Sequence, residues 1–170
     1  MDHKRDGNGI CENCGAGSEA YILGASGRTY YTTVEAALTA AYENPNNPSV
    51  WITNRKQAIT LTKSCSVSVE KGVTVPEIST FTADSDASFN IYNDGGTIEK
   101  ISPASSGTQA LKITNQGIIS NIIIPDNASL STEITNNGTI GWLVAQKPIK
   151  LQSGIGTYGW IETVYPKFTL

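Results

Sequence analysis

The chain has 170 residues, 39% of them hydrophobic and only 16% charged, with a formal net charge of −3. That length suffices for one domain with a sizeable core. The balance lacks the clustered Lys/Arg footprint of a nucleic-acid binder, and no apolar run approaches the roughly 20 residues of a membrane span.

Residues 1–20 read as a polar, Gly-rich lead and a candidate flexible segment. It opens Met1-Asp2-His3-Lys4-Arg5-Asp6, without the apolar stretch of a signal peptide, so for an exported protein the signal and anchor are expected elsewhere. Cys11 and Cys14 form a C-x-x-C that, with His3, offers three candidate zinc ligands. A structural zinc site takes four ligands, and a reversible disulfide or two unbridged thiols also account for the pair. Asp6, Asn8 and the Ile10 carbonyl trace the start of a calcium loop but lack its terminal Glu. The third cysteine, Cys65, stands in a Ser/Thr/Val string and reads as a small buried hydrophobe. The odd count argues against a disulfide framework.

Residues 21–170 are expected to form a single all-β domain. Tyr21-Ile22-Leu23 and Thr29-Tyr30-Tyr31 are short strands around a Gly turn. Residues 33–44 are the one helix, with Thr33 as N-cap, Glu35 in the first turn and an apolar stripe of Val34, Ala37, Leu38, Ala41 and Tyr42. Asn44-Pro45-Asn46-Asn47-Pro48 ends it. Strands follow at 50–53, 58–61, 66–69 and 73–75.

A phrase then repeats: Ile91-Tyr92-Asn93-Asp94-Gly95, Ile113-Thr114-Asn115-Gln116-Gly117 and Ile134-Thr135-Asn136-Asn137-Gly138. Gly72, Gly95, Gly117 and Gly138 recur every 21–23 residues. A fixed period of this size is the signature of a solenoid, whose repeats bury their apolar faces only by stacking. The spacing suits a coil of three short strands and three turns, with the clear coils over 66–165. Alternation sends Ile91, Ile98, Ile101, Leu111, Ile113, Ile119, Ile122, Ile124, Ile134, Ile140 and Leu143 inward. The Asn residues form turns by tolerating positive φ, or stack their amides from coil to coil. The helix would cap the first coil, and residues 159–165 would form the last strand, shielded by Pro166 and the tail.

This order of parts resembles the right-handed parallel β-helix of the pectin-lyase-like superfamily over about residues 21–165. Gly27-Arg28-Thr29-Tyr30-Tyr31-Thr32-Thr33-Val34-Glu35-Ala36-Ala37-Leu38, then Val50-Trp51-Ile52 and Lys71-Gly72-Val73-Thr74, is similar to the opening of β-helix modules in surface proteins of Gram-positive bacteria. Asn44–Pro48 stands where those modules usually carry a Gly-Asp turn. The lead resembles a short C-x-x-C-G linker of the same proteins. The resemblance implies a secreted or cell-surface location and an N-terminal capping helix.

Relatives of this fold that cleave acidic polysaccharides need Arg or Lys beside clustered carboxylates. Here Arg5, Arg28 and Arg55 all precede the clear coils, and Asp84/Asp86 is the one close carboxylate pair, in a stretch that reads as a solvated turn. Gly154-Ile155-Gly156-Thr157-Tyr158-Gly159 touches a nucleotide-loop pattern but lies among strands. No catalytic residues are assigned.

Among the aromatics, Tyr92, Trp142, Tyr158 and Trp160 could each lay a flat ring on a sugar face, and Trp142 and Tyr92 are the candidate ligand-binding rings. Trp160 suits terminal-cap packing and Trp51 the core near the helix. The expectation is a non-catalytic structural or adhesive module without a bound cofactor, zinc at the lead being the exception. Its partner would be a glycan or a host surface protein, and it would be a monomer or weakly self-associating. The alternative is a small polysaccharide lyase or hydrolase.

Overall fold

The computed structural model describes residues 7, 9–11, 15–82, 84, 86–103, 109–126 and 130–163. The chain is a parallel β-solenoid of about five turns with one short helix near its N-terminus.

The N-terminal end is built differently from the coils. Strands β1 (Ala20–Gly24) and β2 (Gly27–Tyr31) form an antiparallel hairpin, and β1 also runs antiparallel to β3 (Val50–Ile52). Helix α1 (Val34–Glu43) follows β2. The Thr33 side chain accepts a hydrogen bond from the Ala36 backbone N–H at 3.2 Å, the N-cap expected of that residue. Val34, Ala37, Leu38 and Ala41 are buried in the core cluster that begins the solenoid. The helix therefore covers the first coil, as the apolar stripe implied.

The remaining strands are β4 (Ile59–Leu61), β5 (Cys65–Val69), β6 (Thr74–Thr80), β7 (Ser88–Asn93), β8 (Thr97–Pro103), β9 (Gln109–Asn115), β10 (Ile118–Ile124), β11 (Leu130–Asn136), β12 (Thr139–Ala145), β13 (Ile149–Gln152) and β14 (Thr157–Thr163). They alternate between two sheets. One has the order β13-β11-β9-β7-β5-β3-β1-β2 and the other β14-β12-β10-β8-β6-β4. From β3 onward every pairing is parallel.

Each coil thus holds two strands, not the three expected from the spacing. The difference has a physical cause in the second strand. In β10 the buried residues are Ile119, Ile122 and Ile124, so the first pair lies three apart. A flat strand cannot point residues three apart to one side; β10 therefore bends at Ser120, where the register to β8 and β12 is interrupted. The same offset occurs at Val75/Ile78, Ile98/Ile101 and Ile140/Leu143. One bent strand does the work of two straight ones.

All eleven aliphatic residues assigned inward are buried in one continuous core. They stack in files: Ile98 on Ile119 on Ile140, and Ile91 on Ile113 on Ile134. Cys65 is buried in the same core. Trp51 is not part of it. Val50 and Ile52 point inward, while half-buried Trp51 lies parallel to the Tyr21 ring, with centroids 5.9 Å apart. Alternation in a strand of three residues fixes this: only the flanking aliphatics can face the core.

Candidate functional site

The corners between the two sheets carry the repeat. Asn93, Asn115 and Asn136 are aligned on β7, β9 and β11 and are buried. Asn93 Nδ2 donates to Asn115 Oδ1 at 2.8 Å, and Asn115 Nδ2 donates to Asn136 Oδ1 at 2.9 Å. Each Oδ1 also accepts a backbone N–H from its own corner: Gly96 at 2.9 Å, Gly117 at 3.1 Å and Gly138 at 3.1 Å. The second amide hydrogen reaches carbonyls, including Ile118, Thr139 and Thr157 on the following coils. The amides therefore form a ladder from Asn93 through Asn115 to Asn136, in which every side chain both donates and accepts. They do not adopt positive φ; among the described residues the non-glycine that does is Asn47.

The glycines of the corner separate into two kinds. Gly72 and Gly95 have φ of 80° and 85°, the left-handed region that favours glycine. Gly117 and Gly138 are glycine because the coils touch there. A Cβ on Gly117 would sit 2.2 Å from the Gly96 carbonyl oxygen, and one on Gly138 would sit 2.1 Å from that of Gly117. The structural partner of Gly117 is therefore Gly96, not the Gly95 that sequence alignment of the phrase selects. The Asn93 corner contains one residue more than the Asn115 corner.

The arginines of the described chain serve the cap. Arg55 is 7% exposed. Its Nη1 donates to Glu19 at 2.7 Å, its Nη2 pairs with Glu35 of α1, and its Nε donates to the Gln57 carbonyl at 3.0 Å. Arg28 lies over the Tyr21 ring, 4.4 Å from its centroid. Burial and the hydrogen bond to Glu70 both push the Tyr21 phenol pKa well up. Arg5 lies outside the described residues. Asp84 and Asp86 are both exposed, and the Asp84 backbone N–H donates to Thr82 Oγ1 at 3.1 Å, a turn contact.

Of the candidate zinc ligands, His3 and Cys14 lie outside the described residues. Cys11 is fully buried. Gly15 N–H donates to the Cys11 carbonyl at 2.8 Å, and Cys11 N–H donates to the Ala16 carbonyl at 3.0 Å. The Gly15 Cα lies against the Tyr30 ring, where a Cβ would come within 2.2 Å. Ile10 and Ser18 are buried as well, so this part of the lead packs on the hairpin.

The two candidate sugar-binding rings are not brought together. Tyr92 is on β7, half-buried, with its hydroxyl donating to Asp94 Oδ1 at 3.3 Å. Trp142 is on β12 in the other sheet and is 57% exposed. Trp160 was expected in the terminal cap but is equally exposed, and it lies directly beside Trp142 in the β12–β14 register. The C-terminal coil is instead closed from within by Tyr158 and Ile161, which pack on the core. The strand period held the signal: Trp160 and Ile161 cannot both face inward, and Ile161 aligns with buried Leu143. Pro166 and the tail proposed to shield this end lie outside the described residues.

Outward charges pair along the rungs. Glu77 bonds to Ser102 and to Lys100 Nζ at 3.0 Å, and these hydrogen bonds, Ser102 first, lower its carboxyl pKa. Glu133 bridges to Lys150 at 3.0 Å in the other sheet. No helix among the described residues is long and apolar enough to cross a membrane. Comparison of the chain with family models, curated proteins and solved structures gave no match.

Proposed function

We propose that this chain is a non-catalytic structural and adhesive module of a secreted or wall-attached bacterial surface protein, akin to the pectin-lyase-like β-helix modules it resembles. It is a rigid spacer that presents sheet faces to a glycan or a host surface protein. The observation that carries this reading is the use made of the corner residues. Asn93, Asn115 and Asn136, and the glycines beside them, are committed to holding coil to coil. The outward files are rich in Thr, Ser and Asn, and Lys100–Glu77 and Lys150–Glu133 pair across rungs. The arginines described support the same reading, because Arg55 and Arg28 are held in the N-terminal cap by carboxylates and an aromatic ring.

Incubation with polygalacturonate and other acidic glycans tests it. The expected outcome is no new reducing ends and no unsaturated product. Release by the native protein that disappears in Asp84→Ala would overturn the reading in favour of a polysaccharide lyase or hydrolase.

A further inference from the structure

We propose that Trp142 and Trp160 together form a stacking platform for a neutral glycan chain, on the outer face of the β14-β12-β10-β8-β6-β4 sheet. The inference rests on the reading of the chain as a surface module and adds to it the site and the ligand class.

The two tryptophans occupy the same position on adjacent parallel strands, so their backbones are about 4.8 Å apart. Each is 57% exposed. An indole is too large and apolar to be left in water twice in succession without consequence, and it is the side chain best suited to lie against the apolar face of a sugar ring. The residue before each tryptophan is glycine. A Cβ on Gly159 would meet the Gly141 carbonyl oxygen at 2.6 Å, so that file stays bare for the packing of the coils.

The file continues from Trp142 to Asn121 and Lys100. Asn121 supplies an amide at the edge of the platform, its Nδ2 donating to the Glu99 carbonyl at 3.2 Å. The cation of the file, Lys100, is engaged by Glu77. Glu162 stands two residues beyond Trp160 on the same strand, where it would repel an anionic chain. The charge pattern selects an uncharged glycan over a uronic-acid polymer. Size selects a glycan over a second copy of the chain. The two tryptophans, even with the exposed Ile118 and Ile123 of the neighbouring β10, offer only about a few hundred Å², below the roughly 800 Å² per partner of a stable protein interface.

The experiment is native gel electrophoresis in gels containing hydroxyethyl cellulose, mixed-linkage β-glucan or galactomannan, with polygalacturonate as the anionic comparison. The protein should be retarded by at least one neutral polymer and not by polygalacturonate. Trp142→Ala and Trp160→Ala should each weaken retardation about tenfold, the scale of one lost aromatic contact, and Trp142→Tyr, which keeps a flat ring, should retain most of it. Circular dichroism and the urea midpoint should stay native in all three, since the rings are exposed. The platform is overturned if no neutral polymer retards the protein, or if the alanine variants are retarded as strongly as the native chain. It is equally overturned if sedimentation shows a dimer that these variants dissolve. Those failures leave the surface-module reading standing; cleavage of a polymer would strike that reading instead.

Discussion

Asn93 donates its side-chain amide to Asn115, one coil away, at 2.8 Å, and both residues are buried. Asn115 passes the same bond to Asn136. A buried amide is tolerated only when its hydrogen bonds are made. Here the partner is the same residue type in the next repeat, so stacking satisfies the polar group and the polar group sets the stacking register.

The glycine beside each ladder rung makes a separable prediction. Gly117→Ala would drive a methyl group to 2.2 Å from the Gly96 carbonyl oxygen, a contact between backbones that cannot rotate away. It should cost at least about 3 kcal/mol, the upper range for overpacking, or prevent folding. Gly95→Ala faces only the flexible Lys71 side chain at 3.4 Å, and its penalty is the positive φ, about 1 kcal/mol. Urea midpoints of the two variants check the order.

Much of this was legible in the chain. The 21–23-residue period, the inward aliphatics and the Thr33-capped helix follow from spacing and local chemistry, and the structure bears them out. The Asn residues had two readings, and amide stacking, not positive φ, is the one found. What escaped depends on contacts between coils. Gly95 and Gly96 are indistinguishable until the neighbouring coil shows which one it touches. The bend at Ser120 is invisible to an alternation rule that assumes a flat strand. The antiparallel β1–β3 pairing and the Arg55 bridge to Glu19 and Glu35 join segments far apart in sequence. The outward position of Trp160 follows from the strand period, which turns Ile161 inward beside Leu143.

Arg55 should be the most sensitive charged residue among those described. Its guanidinium is enclosed, whereas Glu35 is more than half exposed and can return to water. Arg55→Met should therefore cost about 1–3 kcal/mol, less than a fully buried ion pair would. Arg55→Lys should recover little, because an ammonium lacks the fork that reaches Glu19, Glu35 and the Gln57 carbonyl together. Thermal unfolding of both variants is the measurement.

Thr132 offers a gain. Its buried Oγ1 has no hydrogen-bond partner among the described residues, and it lies between Leu111 and Ile149 in an apolar file. Thr132→Val replaces an unsatisfied hydroxyl by a methyl group and should stabilise the fold by about 1 kcal/mol. Denaturant titration against the native chain reads it.

Cys65 predicts a pH response. Burial pushes its thiol up to about 11 from 9.0. The unfolded chain then loses this proton first, so the thiol's contribution is intact below pH 9 and stability falls as pH rises from about 9 to 11. Cys65→Ala should flatten that part of the stability profile. Ellman's reagent should label Cys65 at pH 8 only as the chain unfolds.

The zinc expectation for His3, Cys11 and Cys14 is tested by metal analysis of protein purified with zinc present. One zinc per chain, lost in Cys11→Ser and Cys14→Ser, is the expected result. Absence of zinc from the native protein refutes it.

The Asn corners bind coil to coil rather than bind a ligand. The urea midpoint of Asn115→Asp tests it most directly. The substitution keeps the shape but turns a donor toward Asn136 Oδ1 into an acceptor, and it places a charge in the core. The account predicts a loss of at least about 3 kcal/mol, as for a buried group left unsatisfied and charged, while Asn121→Asp on the exposed face shifts by less than about 0.5 kcal/mol. A native midpoint for Asn115→Asp would contradict it.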